Sequence, residues 1–66
     1  MSNSEIAKKL RDAREKLNLT QEEVAQKAKI STNYYARIER GDLMPAIKRL
    51  QDLQKILGIK SLKLTI

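Results

Sequence analysis

Two helix-capping signatures lie eleven residues apart in the middle of this 66-residue chain, and they leave it few ways to fold. In Thr20-Gln-Glu-Glu23 the threonine hydroxyl can accept from the amide of Glu23, whose carboxylate can reach back to the amide of Thr20. The acidic pair Glu22 and Glu23 also suits the positive end of a helix dipole. Val24, Ala25 and Ala28 then supply one apolar face, and Ala25 is small enough for close helix approach. Ser31 is a natural N-cap for the next helix. Tyr35 and Ile38 continue a core-facing stripe there, and Gly41 offers the left-handed residue on which helices often end. Only Lys29 and Ile30 separate Ala28 from Ser31. The stretch from Thr20 to Gly41 therefore reads as helix, tight turn, helix.

The flanks add more helix. Ser2 and Glu5 have capping-box spacing, and Ile6, Leu10, Ala13 and Leu17 recur along one face, so a first helix is expected from Ser2 to Leu17. Asn18 ends it and permits a turn. After Gly41, Pro45 can occupy the first turn of a further helix, although Met44 is a poor cap. Ile47, Leu50, Leu53 and Leu57 form its apolar stripe, and Gly58 stops it. Leu62-Lys-Leu-Thr-Ile66 alternates with period two. A terminal strand, a helical turn and a frayed tail all fit that pattern, with an ordered apolar tail the favoured reading.

Composition narrows the chemistry. The chain has no cysteine and no histidine, which removes disulfides, thiolate sites, and the commonest general base and metal ligand. No enzyme, metal or cofactor is expected, and the carboxylates are accounted for by caps, pairs or exposed faces. A single domain with one modest core is expected over residues 1–66, near the lower end of what folds alone. The apolar runs are too short to span a bilayer and the N-terminus has no signal-peptide core, so a cytoplasmic setting is expected. The net charge of +6 suits a polyanionic partner. It is unevenly spread: residues 20–41 carry net +1, residues 46–66 net +4. Lys48, Arg49, Lys55, Lys60 and Lys63 either widen the field felt by a polyanion or solubilise an apolar helix.

From Leu17 to Leu57 the chain resembles the Cro/lambda-repressor-like, or Xre, helix-turn-helix family. The residues that carry the resemblance are Leu19-Thr-Gln-Glu-Glu-Val-Ala25, Ile30-Ser31, Ile38-Glu-Arg-Gly41 and Pro45, with Arg14 extending it into the first helix. It implies an all-α, compact bundle of about five short helices in which helices 2 and 3 form the helix-turn-helix, core 20–41. A C-terminal helix and candidate dimer segment would follow over 46–66. Two positions depart from the family pattern. Lys29 stands where the turn usually has glycine, and a left-handed conformation there would cost a non-glycine residue roughly 1 kcal/mol. The loop after Gly41, often basic in relatives, reads Asp42-Leu43-Met44.

Within that motif Thr32, Asn33 and Arg37 are the base-reading candidates. Residues 33 and 37 share a helix face; asparagine can pair bidentately with adenine and arginine with guanine, while threonine can touch a thymine methyl. The resemblance gives Gln21 a contact to the DNA backbone and sometimes to a base. Ser31 combines its cap with a phosphate contact, and Arg40 is a further phosphate candidate; a solvated face explains Lys27 equally well. Tyr35 reads as packing, whereas Tyr34 faces either the DNA or the core. The resemblance also pairs Arg14 with Glu39 between the first and third helices, as a structural ion pair. Leu62, Leu64 and Ile66 are the best available dimer interface.

The expected function is a sequence-specific regulator of transcription, a repressor, that reads the major groove of double-stranded DNA with the helix 32–40 as a homodimer. A protein-interaction module or an antitoxin built on the same fold is the alternative, since fold alone does not decide.

Overall fold

The two cap signatures form as their spacing predicts. Thr20 Oγ1 accepts from the Glu23 amide at 3.0 Å, and Glu23 Oε1 accepts from the Thr20 amide at 2.8 Å. Ser31 Oγ accepts from the amide of Tyr34 at 3.0 Å. A computed structural model describes residues 3–59, in which four helices follow one another: α1 (Asn3–Lys16), α2 (Gln21–Ala28), α3 (Thr32–Glu39) and α4 (Ile47–Leu57). The expectation of about five helices is thus four among the described residues. The expectations for Ser2 and for Leu62 to Ile66 concern residues outside this range.

All four helices end in the same way. Asn18, Lys29, Gly41 and Gly58 have φ of 57°, 59°, 78° and 67°. In each case the amide of the following residue reaches back five positions to a carbonyl: Leu19 to Arg14, Ile30 to Ala25, Asp42 to Arg37 and Ile59 to Gln54, at 2.9–3.1 Å. This Schellman arrangement satisfies carbonyls that the helix itself leaves open and turns the chain sharply. Lys29 does adopt the left-handed conformation that its place in the turn demands.

The turns fold the helices around one core. α3 packs on α1 and α2, and α4 packs on the same two. Ile6, Leu10, Val24, Ala25, Ala28, Tyr35, Ile38, Leu50, Leu53 and Leu57 are buried together. Burying a leucine- or isoleucine-sized side chain stabilises by about 1.5–3 kcal/mol, so this cluster supplies most of the driving force for a chain without cross-links.

Several expectations about the flanks need correction. Leu17 is 48% exposed and Ile47 is 65% exposed, so neither belongs to the core stripe. Leu17 lies beyond the last residue of α1, where the chain is already turning into Asn18. Pro45 is not in the first turn of α4: Ala46 is the N-cap, without a side-chain cap bond, and Pro45 is buried just before it. Ile47 then opens the helix with no helix layer above it. The sequence reading also missed Ala7, which is buried beside Ile6.

Candidate nucleic-acid interface

α3 has two unlike faces. Tyr35, Ile38 and Glu39 point inward and are buried, while Thr32, Asn33 and Arg37 are exposed. The division follows from the 3.6-residue period, because 35, 38 and 39 fall on one side of the helix and 33 and 37 on the other. Ser31 is exposed as well, and Tyr34 is half-buried against the core. Tyr34 therefore has its ring packed inward in part, between the two roles open to it from sequence.

Two helix N-termini stand close in sequence, at Gln21 and at Thr32. The caps take the Glu23 and Tyr34 amides, and helix geometry leaves the earlier amides of each first turn without intrahelical acceptors. Such groups, with the helix dipole behind them, favour phosphate. The helix expected over 32–40 ends at Glu39, with Arg40 as its C-cap. Arg40 Nε donates to Asp42 Oδ2 at 3.1 Å in an exposed pair. The acid in the following loop thus lies against the basic group next to it, and a phosphate would have to compete with Asp42 for Arg40.

Beneath the outer face is a charged junction. Arg14 Nε donates to Glu39 Oε2 at 2.7 Å, and Arg14 Nη2 donates to Glu39 Oε1 at 3.0 Å. The third guanidinium nitrogen, Nη1, donates to the Leu19 carbonyl at 2.9 Å. The Glu39 side chain is only 2% exposed and that of Arg14 14%. Gln21, half-buried, donates from Nε2 to Glu39 Oε1 at 3.1 Å. The sequence offered no local signal for this contact, since the two residues are 18 apart.

Charge states follow from these contacts. Burial alone would push the Glu39 carboxyl up, but the hydrogen bonds from Arg14 and Gln21 and the Arg14 charge hold it below the usual glutamate range. The Arg14 guanidinium is raised in turn by its hydrogen bonds to Glu39. Tyr35 lies beside the pair with its hydroxyl buried and without a partner of hydrogen-bonding geometry. Burial first, and then the neighbouring carboxylate, push its phenol far up, so it stays neutral. Glu23 is lowered by the Thr20 backbone and side-chain hydrogen bonds of the capping box.

No curated protein and no solved structure matches the chain. A family model described as helix-turn-helix matches residues 10–64, which include all of α2, α3 and α4 and the Arg14–Glu39 junction. That model is the one for lambda-repressor/Xre-like DNA-binding domains. None of the described helices is long and apolar enough to cross a membrane. The match spans more than half of the chain, and the chain therefore belongs to the Cro/lambda-repressor-like helix-turn-helix family of DNA-binding regulators.

Proposed function

We propose that this protein is a sequence-specific repressor that occupies an operator in double-stranded DNA. The observation that carries the reading is the exposed part of α3, where Thr32 opens the helix and Asn33 and Arg37 stand opposite the side that is locked into the core. Asn33 would pair with adenine, Arg37 with guanine, and Thr32 would meet a thymine methyl or a base acceptor. Gln21, Ser31, Tyr34 and Arg40 would fix the register through backbone contacts. No cofactor takes part in this reading.

A helix of eight residues is about 12 Å long and covers only a few base pairs. Selectivity over a genome then calls for a homodimer on half-sites about one helical turn apart. Leu62, Leu64 and Ile66 are the proposed dimer residues. Exposed Leu17 lines a groove with Ala13, Leu57 and Ile59, edged by Lys9, Asp12, Glu15 and Lys16, and this mixed surface supports a contact in the region. Deleting residues 61–66 should shift the protein toward monomer in sedimentation, and an unchanged profile would refute this interface.

Selection of bound sites from a random duplex library, followed by salt titration, tests the main reading. A short consensus and a steep loss of affinity with salt are expected. Indifference to DNA of any sequence would instead favour use of the same fold to bind a protein, as in an interaction module or an antitoxin.

A further inference from the structure

Gln21 differs from the other residues proposed to meet DNA, because its side chain is hydrogen-bonded to a buried side chain on another helix. Its Nε2 donates to Glu39 Oε1 at 3.1 Å where the first turn of α2 meets the last turn of α3. An ionised carboxylate can accept but cannot donate, so the amide has one permitted orientation, nitrogen toward Glu39 and oxygen away from it. The carboxylate is itself held. Arg14 grips both oxygens at 2.7 and 3.0 Å, and its remaining nitrogen is tied to the Leu19 carbonyl at 2.9 Å. Glu39 cannot rotate to release Gln21 without breaking a bidentate, buried ion pair. Of the polar groups on the Gln21 side chain, the carbonyl oxygen and one N–H are left for a ligand.

We propose that Glu39 is a positioning residue for DNA recognition, holding the Gln21 amide in one orientation so that it meets the duplex with its oxygen and a single N–H. The proposal rests on the DNA-binding reading above and extends it from α3 to the residue that opens α2. It also assigns the two groups to different targets. A phosphate oxygen can use only the N–H, beside the free amides at the start of α2. The carbonyl needs a donor, which in the major groove is the exocyclic amine of adenine or cytosine. The ion pair thus acts on recognition as well as on stability, by sparing Gln21 a search among rotamers when DNA arrives.

Two measurements test this. The first needs no DNA: nitrogen-15 relaxation of the glutamine side-chain amides in the wild-type protein, with exposed Gln26 and Gln51 as internal references. Order at the Gln21 amide close to that of the backbone is expected; mobility equal to that of Gln26 and Gln51 would overturn the proposal. The second compares the effect of Gln21→Ala on duplex affinity in two backgrounds, the wild type and the double variant Arg14→Met/Glu39→Met. Replacing both partners of a buried pair with apolar residues of similar length commonly leaves a protein folded. In the wild type Gln21→Ala should weaken binding about tenfold, as loss of one charged hydrogen bond does. In the double variant it should weaken binding less than about twofold, because nothing then holds the amide. Equal losses in both backgrounds would overturn positioning by Glu39. If the double variant does not fold, the relaxation measurement decides alone. If the wild type binds no duplex while Gln21 is ordered, the DNA reading has failed rather than the hold on Gln21.

Discussion

The inner and outer faces of α3 are built from the same eight residues and answer to different demands. On the inner face Tyr35, Ile38 and Glu39 are buried in the core, and Glu39 is hydrogen-bonded to Arg14 of α1 and Gln21 of α2. On the outer face Asn33 and Arg37 meet solvent, as Thr32 does at the start of the helix. A helix held firmly on one side is free to vary on the other, which is how one scaffold can serve many operators. The comparison holds only if substitutions on the outer face cost recognition and leave the fold intact.

The largest expected effect is on the inner face. Glu39→Gln removes the charge that balances Arg14 beneath α3, and breaking a buried pair from one side costs about 3–5 kcal/mol. Thermal melting of the variant checks this, and an unchanged midpoint would mean that the pair contributes no net stability.

The same pair should be visible in acid. The Glu39 carboxyl is held below its ordinary value in the folded protein. A lowered carboxylate adds stability that is fully present above the unfolded-state pKa and is lost as pH falls through the folded-state value. The melting temperature should therefore decline once the pH drops below about 4.3, the usual glutamate value. In Glu39→Gln the decline should be shallower, with a remainder from Glu23, whose carboxyl is also lowered by its cap. Parallel declines in the two proteins would show that Glu39 is not the titrating group.

Much of this division was legible beforehand. Thr20 with Glu23, and Ser31 with the helically spaced apolar positions after it, locate two helices and their buried sides because caps and periodicity are local properties. Leu17, Ile47 and Pro45 were misplaced for a related reason. Periodicity gives the face of a helix but not the turn at which neighbours stop covering it, and that limit depends on how α1 and α4 cross the rest. The Gln21–Glu39 contact could not be read from sequence, since it exists only once the left-handed turn at Lys29 has brought the start of α2 to the end of α3.

The turn that sets the angle between α2 and α3 gives a smaller effect of opposite sign. Lys29 takes φ 59° and ψ 41° at the end of α2, where a β-carbon crowds the following carbonyl. Gly41 makes the equivalent turn at the far end of α3 without that cost. Lys29→Gly should raise stability by up to about 1 kcal/mol, part of it offset by the greater freedom of glycine in the unfolded chain. A melting temperature that stays level or falls would mean that the lysine side chain contributes something that glycine cannot.

The smallest effect on stability should come from the outer face itself. Asn33→Ala and Arg37→Ala remove exposed groups, and surface substitutions of this kind usually stay within about 0.5 kcal/mol of neutral. Their effect on binding should be of another order, since each good bidentate contact discriminates the right base from the wrong one by about 1–3 kcal/mol. Melting and duplex affinity measured on the same samples give the test. Arg37→Ala should also relax the preference at one base position, whereas loss of a phosphate contact would weaken all sequences alike. A variant that melts early and binds all sequences equally weakly would show that the outer face is not independent of the inner one. Unchanged melting with lost discrimination would show that a helix fixed by Tyr35, Ile38 and Glu39 can have its outer face rewritten without refolding the protein.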